Sequence, residues 1–265
     1  MNTSTAVRAG GFRAWGAPLT HRNILVDAGA VVALIGLIFG FVTWRATQAE
    51  TKSAVLLADR ERVADLALEL STIPLDELEA TSTWGASTAS TVSAHLNARQ
   101  VQVIQQMLEV IERADREIAT ASQQVALADA LVRTGEHATA VDHYDRALRL
   151  SDSFGLAVHA LRGKAAALHQ MNVISDARAA WEEAVQIADD YRLPKDFVVL
   201  SEIQTLSNWG SWEALTGECD RARRMRARTT ELAETLMRLT TGNKAYAARV
   251  TQLQQPLVDA LRSCA

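Results

Sequence analysis

The chain has 265 residues, a formal net charge of −4, and only four prolines and thirteen glycines. Ala, Leu, Arg, Glu and Gln recur throughout, which favours helices over strands, and the length allows a helical body plus an anchor. The mild acidity argues against a protein built to neutralise nucleic-acid phosphates. Two cysteines, Cys219 and Cys264, are too few for a disulfide framework or a four-thiolate zinc site, and the sequence leaves open whether they pair.

The first expected element follows a tail over 1–23. From Ala28 to Trp44 the sequence reads AGAVVALIGLIFGFVTW, without a charge, and extending it back to Ile24 adds only Asp27. A helix over 24–44 spans about 31 Å, close to the roughly 30 Å of a bilayer's hydrocarbon core, so a single transmembrane helix is predicted there. Asp27 lies one turn inside, where it reaches the headgroups, and Trp44 is placed as an interfacial anchor. The apolar core is long and Arg45 follows it directly, which argues against a cleaved signal peptide. Arg8, Arg13 and Arg22 precede the span and Arg45, Lys52, Arg60 and Arg62 follow it, a near balance. The reading taken is a signal anchor in the cell membrane, N-terminus inside and helical body outside.

Beyond the span, Leu56, Val63, Leu66, Leu70 and Ile73 recur at helical steps and predict an amphipathic juxtamembrane helix in the stalk over 45–79, which Pro74 stops. Small and polar residues over 80–91 predict a linker. The helical domain is expected over 92–265, opening on a stripe of Leu96, Val103, Ile104, Met107, Leu108, Ile111 and Ile118. Both stripes read as ordinary core-packing faces, since neither sustains heptads long enough for a coiled coil.

Two stretches align when Tyr144 is set against Trp181. Ala140, Tyr144 and Ala147 then match Ala177, Trp181 and Ala184, an Ala-x3-aromatic-x2-Ala pattern. Small residues let antiparallel helices approach closely, and the ring fills the gap to the next pair. Leu127, Ala128 and Leu131 on one preceding helix correspond to Leu161, Ala165 and Leu168 on the other, with turns at Gly135 and Asn172. In these residues the chain resembles the tetratricopeptide repeat family, of a membrane-anchored bacterial type, over about 65 residues. The departures are a 37-residue offset, Lys164 in place of a large apolar residue, and no terminal proline.

The resemblance implies an all-α solenoid of about three helix pairs. Asp196 to Trp209 and Trp212 to Leu239 supply the third, and Tyr246, Val250, Leu253, Leu257 and Leu261 a capping helix. It further implies a scaffold or adaptor that binds a protein segment on its concave face, where Asp129, Arg133, His159, Arg162 and His169 fall. A single-pass sensor or regulatory subunit of a membrane signalling complex is the alternative. The arginines Arg221, Arg223, Arg224, Arg226 and Arg228 form a basic cluster on a predicted helix, read mainly as a solvated face without interleaved aromatics. The six histidines show no metal-ligand spacing, no glycine-rich loop follows a strand, and no nucleophile has a recognisable partner. The sequence therefore predicts no catalytic site, metal or cofactor.

Overall fold

The structure, a computed structural model, describes residues 21–114 and 117–264, with the side chains of 21–40, 42, 81 and 83–89 outside that description. Among the described residues the chain is all-α, without strands. It divides into two compact units, Met1–Val55 and Leu56–Ala265.

In the first unit, the predicted tail and most of the span over 24–44 fall outside the described side chains. Among the described residues no helix is long and apolar enough to cross a membrane. At the span's end the rings of Phe41 and Trp44 lie 5.9 Å apart, and the Arg45 guanidinium sits 4.9 Å from the centre of the Phe41 ring.

Helix α1 runs His21–Arg113. Its part in the second unit is not one straight rod. Arg113 Nη2 meets Asp59 Oδ1 at 2.6 Å across 54 residues, which a straight helix would separate by about 81 Å. Arg62 also donates to Gln106 and Arg99 to Glu69, each at 2.8 Å, so the run folds back on itself as two antiparallel arms centred near Gly85. Three expectations are corrected here. The backbone over 80–91 is helical rather than a loop. The helix passes through Pro74 instead of ending there: Leu70 and Ile73, at 0% and 1% exposure, anchor the preceding turn in the core while one backbone hydrogen bond is given up. Residues from Leu56 onward belong to the helical body and do not form a separate stalk.

Helices α2 (Ala121–Thr134) and α3 (His137–Leu150), α4 (Phe154–Gln170) and α5 (Ile174–Gln186), and α6 (Lys195–Leu215) and α7 (Cys219–Leu239) form three hairpins, followed by α8 (Lys244–Ala260). A capping box starts α2: Thr120 Oγ1 accepts from Gln123 N, and the Gln123 side chain accepts from Thr120 N. Each hairpin turns through one left-handed residue, Gly135 (φ 87°), Asn172 (φ 59°) or Gly217 (φ 84°). Each turn also closes with the same six-residue backbone bond, Glu136 to Leu131, Val173 to Leu168, and Glu218 to Glu213.

The third hairpin corrects the expected break between Trp209 and Trp212. Gly210 lies inside α6, where a Cβ would stand 2.8 Å from Leu257 Cδ1 and 3.2 Å from Met225 Cβ. That glycine serves the close approach of α7 and α8, and the turn's left-handed residue is Gly217. The Cys219–Cys264 disulfide, Cα–Cα 5.6 Å, ties the start of α7 to the short helix Leu261–Cys264 after α8. Nearby, the fully buried Glu213 carboxylate accepts from Arg178 (2.8 and 2.6 Å) and from Trp209 Nε1 (2.8 Å). Burial pushes its pKa up, but those donors and the Arg221 charge outweigh it and hold the carboxyl below its ordinary value.

Candidate functional site

The first helices of successive hairpins, α2, α4 and α6, lie side by side. Two open clefts lie along them. One, about 490 Å³, is lined by Asp129 of α2, by His159, Arg162, Gly163 and Ala166 of α4, by Trp181 of α5, and by Gln204, Asn208, Ser211, Trp212 and Leu215 of α6, with Pro256 of α8 at one end. The other, about 440 Å³, lies between the α1 arm at Leu70–Pro74, α2 at Val125, Asp129 and Arg133, and α4 at Leu156 and His159. Asp129 and His159 belong to both.

Those two residues form the groove's polar centre. His159 Nε2 stands 3.0 Å from Asp129 Oδ2, and Tyr144 Oη donates to Asp129 Oδ1 at 2.6 Å. Burial raises the Asp129 pKa, but the hydrogen bond and charge of His159, with Tyr144 and Arg133, bring it below its ordinary value. The Asp129 hydrogen bond in turn raises His159, against burial. Burial, then the adjacent carboxylate, drives the Tyr144 phenol well above its ordinary range. Tyr144 can lie there because α4 carries Gly163, where a Cβ would stand 2.6 Å from the ring's Cε1.

Arg162 is fixed to α6, donating to the Ser201 carbonyl (2.8 Å), Ser201 Oγ (2.8 Å) and Thr205 Oγ1 (2.9 Å); burial lowers its pKa to about 10, so it remains a cation at neutral pH. Arg133 is exposed and reaches Gln100 with Nε at 3.4 Å. Lys164, unusual by repeat pattern, bonds Asp145 at 2.7 Å and thereby joins α4 to α3.

Asp129, Arg133, His159 and Arg162 thus come together along one groove. His169 does not. It is 5% exposed, stacks on the back of Trp212 with centroids 5.6 Å apart, and burial lowers its pKa, so it supports the groove wall instead of facing a partner. Neither of its ring nitrogens has a hydrogen-bond partner among the described residues. The basic cluster is also dispersed. Arg221 faces Glu213, Arg223 pairs with Asp220 and the Cys264 carbonyl, and Arg228 reaches Glu202 and Glu231. Arg224 and Arg226 are exposed without an ion pair among the described residues.

Sequence reasoning passed over Gln204 and Asn208. They lie one turn apart on α6 and project two carboxamides into the larger cleft, followed on the same face by Ser211, Trp212 and Leu215. The signal available was that spacing of four, seven, eight and eleven residues, which marks a second face on a helix whose first face, Ile203 and Leu206, is core. Among the described residues no three His, Cys, Asp or Glu side chains converge in a metal-ligand arrangement.

The arrangement defines an all-helical chain of stacked hairpins with a polar and aromatic groove along their first helices. Compared with family models, curated proteins and solved structures, the chain matches none.

Proposed function

We propose that the second unit is a tetratricopeptide-like binding module of three helix pairs and a capping helix that holds an extended segment of another protein in the groove along α2, α4 and α6. The observation that carries this reading is the pair of clefts meeting at Asp129 and His159, with all three hairpins contributing to the larger one. The groove offers what an extended backbone needs: carboxamide donors and acceptors on Gln204 and Asn208, fixed cations at Arg162 and Arg133, and the flat apolar face of Trp212. This is a scaffold or adaptor role, not a catalytic one.

The module is held at the membrane by residues 24–44, with the body on the outer side. The Phe41, Trp44 and Arg45 cluster suits an interfacial boundary, and the Cys219–Cys264 bond suits an oxidising compartment. Tethering raises the effective concentration of the groove toward a membrane-bound partner.

The test is selection of random peptides on the full chain in detergent, followed by binding to Asn208→Ala and Gln204→Ala. The expected outcome is that selected peptides lose affinity for both variants while thermal unfolding is unchanged. Peptides that bind both variants as well as the parent chain would remove the groove from the reading.

A further inference from the structure

The 56–80 arm of α1 has two faces. Val63, Leu66, Leu70 and Ile73, at 0%, 1%, 0% and 1% exposure, point into the core. On the opposite side, positions 57, 61, 64, 68, 71 and 75 alternate steps of four and three, the 3.5-residue period of a coiled-coil seam, and all six are exposed. Leu57, Leu68 and Leu75 on that side are 58%, 66% and 64% exposed, large side chains that the chain's own fold leaves uncovered.

We propose that this face is a parallel, in-register self-association seam whose occupant is the same face of a second copy. Charge decides the occupant. Arg60 and Asp65 flank the seam on opposite sides, exposed and without an ion pair among the described residues. In a parallel pair the residue at 60 of one copy lies across from the residue at 65 of the other, so Arg60 meets Asp65 twice, once at each edge. Glu61, the one acid on the seam itself, lies beside Arg60 of the second copy. An antiparallel pair brings none of these opposite charges together in that register. Glu61 and Ser71 cost stability relative to leucine but disfavour slipped registers, the known use of a polar seam residue. The seam meets the smaller cleft only at Ser71, and the proposal does not rest on the groove reading.

The experiment is light scattering of the full chain in detergent micelles, with the detergent contribution subtracted. The parent chain is expected at twice the single-chain mass, and L68E/L75E at the single mass with unchanged thermal unfolding, since both leucines are exposed. Arg60→Glu is expected to lose the dimer, and R60E/E61R/D65R, which inverts every cross-pair, to recover it. In membranes, Leu68→Cys should form a covalent homodimer where Asp76→Cys, off the seam, does not. A single-mass parent chain, an R60E/E61R/D65R protein that stays single, or a Leu68→Cys adduct to a different protein would each overturn the proposal.

Discussion

Tyr144 and Trp181 occupy the same register in adjacent hairpins, are each 1% exposed, and are flanked by the same pair of alanines, yet their surroundings differ. Fifteen residues before Tyr144 stands Asp129, which accepts a hydrogen bond from its hydroxyl and links it to His159. The equivalent position before Trp181 is Ala166, and the Trp181 Nε1 has no hydrogen-bond partner among the described residues. Where the aromatic finds its acceptor, α2, α3 and α4 are joined by a polar contact. Where it does not, the ring and Ala166 both line the larger cleft. One small-residue pattern therefore builds both a closed joint and an open one, and a side chain on the preceding helix decides which.

The strongest way to break that comparison is to truncate each ring. Tyr144→Ala and Trp181→Ala should each cost about 3–5 kcal/mol in urea unfolding; a Trp181→Ala cost below about 1 kcal/mol would show that the second ring is not a core element at all. Gly163→Ala comes next. It should destabilise by up to about 3 kcal/mol through overlap with the Tyr144 ring. In a Tyr144→Leu background the same change should turn stabilising, by up to about 1 kcal/mol, because alanine is the better helix former. Tyr144→Phe leaves the packing but removes the hydroxyl from Asp129, and should cost about 1–2 kcal/mol, whereas Trp181→Phe gives up no protein hydrogen bond.

The smallest effect is on pH dependence. His159 has a raised pKa in the fold, so its contribution is fully present below its unfolded value of 6.5 and is lost as pH rises through the raised value. Asp129, held below its unfolded 3.8, contributes above that value and loses its contribution as pH falls through the lowered one. The pair is therefore worth most between 3.8 and 6.5. His143 runs the other way: burial depresses it to about 4 from 6.5, so acidification across that interval destabilises the fold. Subtracting the melting curve of His159→Gln from that of the parent chain at each pH isolates the pair. The difference should be largest between 3.8 and 6.5 and should fall as pH rises through the raised His159 value.

The first two hairpins were legible because their determinants are local: alanine spacing around one ring, and a left-handed turn residue at Gly135 and Asn172. The register that the resemblance implies put Asp129, Arg133, His159 and Arg162 on the first helices of those hairpins. What failed depended on contacts distant in sequence. Gly210 reads as a break until Leu257 is seen against it, and His169 reads as a surface residue until Trp212 covers it. The arm over 56–80 reads as a stalk because its core face looks like any amphipathic helix, and only the returning arm, through Asp59 and Arg113, places it in the body. The five arginines, by contrast, read as a mainly solvated face, and Glu213, Asp220 and Glu231 do pair with Arg221, Arg223 and Arg228.

The Cys219–Cys264 bond makes α7, α8 and the turn between them a closed covalent ring, its two cysteines separated by 45 in sequence. The short helix after α8 is thus tied to the start of α7, and α8 cannot peel from α7 without carrying the ring with it. A protease that cuts the exposed turn at Thr241–Asn243 produces two pieces that still migrate as one chain, and they part only when a reductant is added.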